Sequence, residues 1–326
     1  MDTPRIRILS TGGTIASTAN EDGGKTPAKS GDAILERVPG LDAVATLEVE
    51  DVCQVSGFQM TGEHANALAD AVENAASEGV DGVVVTHGTD TMAETAYVLE
   101  SVLEAEIPVV CTGSQRSFDQ LGSDGPTNLD LAVRTAAESR FQARGGCAIA
   151  FNDTIHAARH AVKAHTSALE TFQSPETGPI AERTAEGIRL LSEPAASVPA
   201  MPGARLDPTV RVPIVTNAMG VDGQFLEETT PDGIVVAGTG LGNTTAALGE
   251  RLEEAIADGV PVVLSSRCFG GATAGVYGGG GGGARLLEAG AITGGDIPPW
   301  KARLTCWLGL SAGEDPAGIE ALFNAA

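Results

Sequence analysis

Gly82-Val83-Val84-Val85-Thr86-His87-Gly88-Thr89-Asp90-Thr91 runs from a block of valines into a polar turn, and a helical pattern follows from about Ala93 to Ala105. A short β-branched run ending in such a turn reads as a buried strand. The same order recurs along the chain. Ile6-Arg7-Ile8-Leu9 leads into Ser10-Thr11-Gly12-Gly13-Thr14, Pro108-Val109-Val110 into Thr112-Gly113-Ser114, and Cys147-Ala148-Ile149-Ala150 into Asn152-Asp153. Later runs are Val212-Pro213-Ile214-Val215, Ile234-Val235-Val236 and Pro261-Val262-Val263-Leu264. Strands alternating with helices predict βαβ units and a parallel sheet. Ligands of such sheets bind beyond the carboxyl ends of the strands, where these polar turns lie.

The stretch 192–208, rich in Pro, Ala and Ser, reads as a linker. It predicts a two-domain α/β protein. A larger N-terminal domain, 1–191, holds a flavodoxin-like or Rossmann-like parallel sheet with the polar turns; a smaller α/β domain occupies 209–326. The glycine run Gly278 to Gly283 reads as a loop needing backbone freedom.

Acidic side chains number 43 against 20 basic ones, for a net charge of −23. So negative a surface repels nucleic acid and anionic membrane, and neither is expected as a partner. Lysine occurs only at Lys25, Lys29, Lys163 and Lys301. Abundant carboxylates with almost no lysine suggest adaptation to high salt, where self-repulsion is screened. Cys53, Cys111, Cys147, Cys268 and Cys306 are widely spaced with no CxxC pair, as expected of buried free thiols in a reducing compartment. The N-terminus has no long apolar region and no run approaches 18 apolar residues, so a cytoplasmic protein is expected.

Two turns concentrate chemistry. Thr11-Gly12-Gly13-Thr14 pairs glycines, which let backbone amides approach a ligand, with hydroxyls. Thr86-His87-Gly88-Thr89-Asp90-Thr91 sets hydroxyls beside a carboxylate at a helix start, where N–H groups stabilise an anion. Ordinary capped turns share this composition, since Thr and Asp are common helix N-caps.

Longer stretches are more specific. TGGTIAS and THGTDTMAETA resemble the two signature motifs of the bacterial-type L-asparaginases. GSQRSFDQLGSDGPTNLDLAV, FNDTIHAARHAVKAHTSALETFQSP, GIVVAGTGLGN, SSRCFGGAT and KARLTCWLGL extend the similarity over nearly the whole chain. The resemblance implies hydrolysis of L-asparagine to aspartate and ammonia, without cofactor or metal, with a broader glutaminase-asparaginase as the alternative. It implies Thr14 as nucleophile on the side-chain amide, and a second cluster of Thr89, Asp90 and Lys163. Lys163 would take a proton from Thr89, and Asp90 would anchor the substrate α-ammonium. Substrate contacts fall on Gly13, Ser56, Gly57, Gly88, Asp90 and Ser114. The family assembles as homodimers or homotetramers, with Asn243 at the rim of a neighbour's active site. The chemistry is coherent: a threonine hydroxyl needs a base within reach, and backbone amides of a glycine-rich turn can hold the oxyanion.

Three positions depart from the family pattern. The loop Thr18 to Gly31 lacks the family's tyrosine, and the acid supplied by a neighbouring subunit is replaced near Tyr277, whose hydroxyl could substitute. The serine for the substrate α-carboxylate falls on Gly57, with Ser56 or Gln59 as replacements.

Rival readings are weaker. His156 and His160, i and i+4 on an expected helix, lack the glutamate of a metalloprotease motif and read as polar surface or supporting residues. Gly238-Thr239-Gly240-Leu241-Gly242 follows a strand but lacks the final glycine and the acid of a dinucleotide site. An asparaginase-fold amino-acid sensor would not need all four of Thr14, Thr89, Asp90 and Lys163. The ammonia-supplying amidotransferase subunit carries an additional N-terminal segment, whereas here the first motif begins near residue 10.

Overall fold

The computed structural model describes residues 3–19, 25–193, 198–226 and 230–325. Positions 20–24, within the loop Thr18 to Gly31, and 194–197, within the expected linker, lie outside the described residues. The chain divides into two compact units, Met1–Val198 and Pro199–Ala326.

The first unit holds strands β1 (Arg5–Gly12), β2 (Ser17–Ala19), β3 (Lys25–Pro27), β4 (Thr46–Val55), β5 (Gly82–Thr86), β6 (Pro108–Thr112), β7 (Gly146–Phe151), β8 (Thr154–Ala157), β9 (Val162–Lys163), β10 (Phe172–Gln173), β11 (Ala181–Thr184) and β12 (Gly187–Leu190). Its helices are α1 (Gly31–Leu35), α2 (Gly62–Ser77), α3 (Met92–Val102), α4 (Gly125–Ala137) and α5 (Ser139–Arg144). Eight strands form one sheet in the order β12-β11-β8-β7-β6-β5-β1-β4. The five from β7 to β4 run parallel. Their order along the chain is that of the flavodoxin-like fold, with the reversal between β1 and β5. β8, β11 and β12 extend one edge antiparallel.

Both faces of β5, β6 and β7 are buried, which explains their apolar runs, whereas the edge strand β4 is partly exposed throughout. Ile8, Val84, Val110 and Ala148 face one core with Ile34 of α1 and Leu129, Ala132 and Val133 of α4. Leu9, Val83, Val85 and Val109, pointing the other way, are equally buried. α1 and α4 thus share a face, although their crossovers run in opposite directions across the sheet. With β1-α1-β4 in the usual right-handed sense, β6-α4-β7 is a left-handed crossover, a rare connection.

The second unit is a parallel sheet in sequential order, β13 (Ile214–Thr216), β14 (Ile234–Gly238), β15 (Val262–Ser266) and β16 (Ile292–Thr293). It is covered by α6 (Ala246–Ala257), α7 (Gly283–Ala289), α8 (Pro299–Ser311) and α9 (Pro316–Asn324). Among the described residues no helix is long and apolar enough to cross a membrane.

Candidate active site

The turns after β1 and β5 leave adjacent strands at the point where the sheet order reverses; Ser10 and Thr86 are register partners there. Gly13 (φ +74°) and Gly88 touch backbone to backbone, and Gly57 closes against Gly88 from the turn after β4. A Cβ at Gly13 would sit 2.4 Å from Gly88 N, one at Gly57 2.9 Å from the Gly88 carbonyl carbon, and one at Gly88 2.5 Å from Gly57 Cα. Three turns are therefore held at a spacing that only glycine permits. Thr14 and Thr89 each follow a glycine of this contact.

Thr14 opens a short 3-10 turn and is half-buried; among the described residues its hydroxyl makes no hydrogen bond. Thr89 is buried. Lys163 Nζ donates to Thr89 Oγ1 at 2.8 Å and to Asp90 Oδ1 at 2.6 Å. Lys163 lies on β9, which pairs only with β10 in a two-stranded sheet of its own. The fold thus brings a lysine 74 residues downstream onto the second turn.

Surrounding polar groups fix the turns. The His87 ring is fully buried; its Nδ1–H donates to Gly88 O at 2.7 Å, and Nε2 accepts the Thr95 hydroxyl at 2.9 Å. Asn128 Nδ2 donates to Gly113 O while its Oδ1 accepts from Asn152 N, joining α4 to two turns. Asp124 accepts the amides of Gln115 and Arg116. Ser114 is fully buried and donates its hydroxyl to Arg116 O. Its only free capacity toward a ligand is as an acceptor.

Thr91 supports the site in a way the sequence did not reveal. It takes the N-cap position of α3, yet its side chain makes no cap and instead donates to Gly57 O at 2.6 Å. That bond fixes the 3-10 turn Gly57–Gln59, which Ser56 precedes as a half-buried N-cap. Thr91→Val should raise KM about tenfold with little change in kcat, since one buried hydrogen bond is worth ~1 kcal/mol or somewhat more. Thr91→Ser should restore KM; steady-state kinetics on the three proteins checks this.

The expected helix carrying His156 and His160 is not present. His156 lies on β8, and residues 158–160 form a turn. β8 is only four residues long, too short for its Thr154-Ile155-His156-Ala157 alternation to outweigh two histidines spaced as on a helical face. His156 is buried rather than at the surface, and both its ring nitrogens are engaged, by Ser174 Oγ and Thr154 Oγ1.

Burial lowers both His87 and His156 to about 4, so both rings are neutral near pH 7. Each folded value lies below the unfolded one near 6.5, so between those values the unfolded chain binds more protons. Stability is therefore lost as pH falls from about 6.5 toward 4. Each ring should cost roughly 2 kcal/mol between pH 7 and 5. Urea unfolding of His156→Asn at the two pH values should show a shallower loss than wild type.

In the second unit, Asn243 Oδ1 accepts from Gly283 N, and Asn243 and Tyr277 line an open cleft of 560 Å³ with Thr239, Leu241 and Thr244. Tyr277 is 59% exposed there. The glycines after β14 serve their own turn: Thr239 and Asn243 bridge, and a Cβ on Gly238 would meet Gly242 backbone at 2.6 Å.

A parallel α/β sheet binds small ligands at its topological switch point, and here that point carries a threonine hydroxyl within hydrogen-bond reach of a lysine amine, the make-up of an activated nucleophile. Residues 5–196 match the family model "Asparaginase, N-terminal" and residues 211–323 the "Glutaminase/Asparaginase C-terminal domain". A probable periplasmic L-asparaginase of Haemophilus influenzae is 34% identical over 99% of this chain and 93% of its own length. A glutamyl-tRNA(Gln) amidotransferase component of Haloquadratum walsbyi is 35% identical over 96% of this chain and 73% of its own. The crystal structure of a probable cytoplasmic L-asparaginase from Campylobacter jejuni superposes with a TM-score of 0.88 at 30% identity, over 99% of this chain and all of that one. The chain belongs to the asparaginase family.

Proposed function

We propose that the protein is an L-asparagine amidohydrolase working through a threonine acyl-enzyme. The observation that carries this reading is the Lys163 amine within hydrogen-bond distance of both Thr89 Oγ1 and Asp90 Oδ1. Substrate binds with its α-ammonium on Asp90, which frees Lys163 Nζ to face Thr89. Ser56 and backbone amides of the Gly57 turn take the α-carboxylate. Thr14 Oγ attacks the side-chain amide carbonyl; the oxyanion is held by backbone N–H groups of the Gly13 and Gly88 turns. The Thr14 hydroxyl proton passes to the amide nitrogen, and collapse breaks the C–N bond, expelling ammonia and leaving an ester on Thr14. Water, deprotonated through Thr89 and Lys163, then hydrolyses the ester to aspartate.

Asn243 and Tyr277 act from a neighbouring copy in a homodimer or homotetramer, where the Tyr277 hydroxyl supports the Thr14 proton transfer. The five thiols are free, which suits a reducing cytoplasm; Cys111, Cys147 and Cys306 are buried as expected, whereas Cys53 is half-buried and Cys268 exposed. The charge of −23 with four lysines suits a saline cell interior and opposes tRNA binding. It therefore favours free asparagine over the tRNA-bound substrate of the amidotransferase relatives.

The test is ammonia release from L-asparagine and L-glutamine at low and multimolar KCl, with Thr14→Ala as control. Asparagine turnover lost in that variant and strengthened by salt is the expected result. A folded wild type with no turnover at any salt would overturn the reading in favour of an amino-acid sensor.

A further inference from the structure

We propose that His156 and Ser174 position Lys163, through a hydrogen bond that pins the β9–β10 hairpin to strand β8 of the main sheet. The proposal rests on the role assigned to Lys163 above. The hairpin has only two residue pairs, Lys163 with Phe172 and Val162 with Gln173, continued by Ala164 N donating to Thr171 O at 2.7 Å. Nothing in so short a ladder fixes its placement against the sheet. Two contacts do. Phe172 meets Phe151 of β7 edge to face at 5.1 Å, and Ser174, directly after β10, lies 2.9 Å from His156 Nδ1.

The protons of this chain can be assigned from its end. Thr154 Oγ1 donates to Phe151 O at 2.9 Å, so toward the ring it can only accept. His156 Nε2 must then carry the hydrogen donated to Thr154 at 3.0 Å. Nδ1 is left bare and accepts the Ser174 hydroxyl. Burial, which holds the ring neutral, agrees with this single-proton state. A serine beside an imidazole is also the make-up of a nucleophile–base pair. Here both side chains are buried, at 7% and 3% exposure, which closes them to a substrate. The pair acts through the hairpin: a shift of Ser174 is passed along β10 to Phe172 and across to its register partner Lys163.

The experiment compares wild type, Ser174→Ala, His156→Leu and His156→Asn in steady-state asparagine hydrolysis. In parallel, lysines are reductively methylated with ¹³C-formaldehyde, and the Lys163 methyl resonance is identified by its loss in Lys163→Met. With four lysines in the chain, the spectrum is simple. Ser174→Ala and His156→Leu should lower kcat ~10- to 100-fold, keep KM within about threefold, and move the Lys163 resonance, as expected for a misplaced catalytic group. His156→Asn, whose Oδ1 takes the place of Nδ1 as acceptor, should restore both readouts. Wild-type kcat and an unmoved resonance in Ser174→Ala would overturn the proposal, as would His156→Asn behaving like His156→Leu. Should wild type release no ammonia, the asparaginase reading fails by itself, and the resonance decides whether the pair positions Lys163.

Discussion

Lys163→Met is expected to lower kcat for asparagine ~10²- to 10⁴-fold, the range for loss of a positioned acid–base group, while the protein stays folded. Lys163 Nζ donates to both Thr89 Oγ1 and Asp90 Oδ1, and methionine keeps the length of the side chain without the amine. The ion pair removed has one half-exposed partner: Lys163 is 16% exposed and Asp90 50%. Such pairs are worth about 0–1 kcal/mol, so thermal unfolding should barely move. Asp90 remains to receive the substrate α-ammonium, so KM should change far less than kcat. Turnover kinetics with a thermal melt on the same preparation checks both. A kcat within about tenfold of wild type would remove Lys163 from the proton-transfer path.

The second large effect is expected at Gly88→Ala. Its Cβ would lie 2.5 Å from both Gly57 Cα and Gly57 N, and these backbone atoms have no rotamer by which to withdraw. The Gly57 and Gly88 turns must part by something near 1 Å. Misplacement on that scale costs about 10²-fold in rate, and overpacking of this kind about 1–3 kcal/mol in stability. Gly259→Ala separates crowding from backbone strain. That residue has φ +85° but nothing within 4 Å of a Cβ, so its alanine variant should lose stability and keep full kcat. Kinetics and denaturant midpoints on the two variants decide between them. Equal activity in both would mean the glycine contact does not set the site.

The reach of the sequence follows from which signals are local. The valine runs and the polar turns after β1 and β5 are short-range features, and they placed Thr14, Thr89 and Asp90 at the carboxyl ends of parallel strands; that these strands are neighbours is seen only in the structure. Lys163 became visible only through family resemblance, because no local pattern links it to Thr89. Gly57 looked like a lost serine when aligned with the family; in three dimensions it is a contact with Gly88 that excludes any side chain. His156 was misplaced on a helix because β8 has only four residues, too few for its alternation to outweigh the i, i+4 spacing of His156 and His160. The handedness of the β6-α4-β7 crossover leaves no trace in composition, since the same amphipathic helix packs on either face. Thr91 was quoted within its motif, but its N-cap position disguised a hydroxyl turned toward Gly57 O.

The β9–β10 hairpin has a further consequence. It shares no ladder with the eight-stranded sheet; side chains join it there, through the Phe172–Phe151 contact, the Ser174–His156 hydrogen bond and the Lys163 bonds to Thr89 and Asp90. Segments of this kind open at lower free energy than the strands beside them. The proposed proton acceptor therefore sits on a ladder of two residue pairs, outside the hydrogen bonding of the main sheet. Under rising urea, ammonia release should fade before the far-ultraviolet signal changes, and the amide of Ala164 should exchange with solvent well ahead of those of Val84 and Val110. An enzyme so built fails first as a catalyst and only later as a fold, and it can regain activity by re-seating one hairpin rather than refolding the chain.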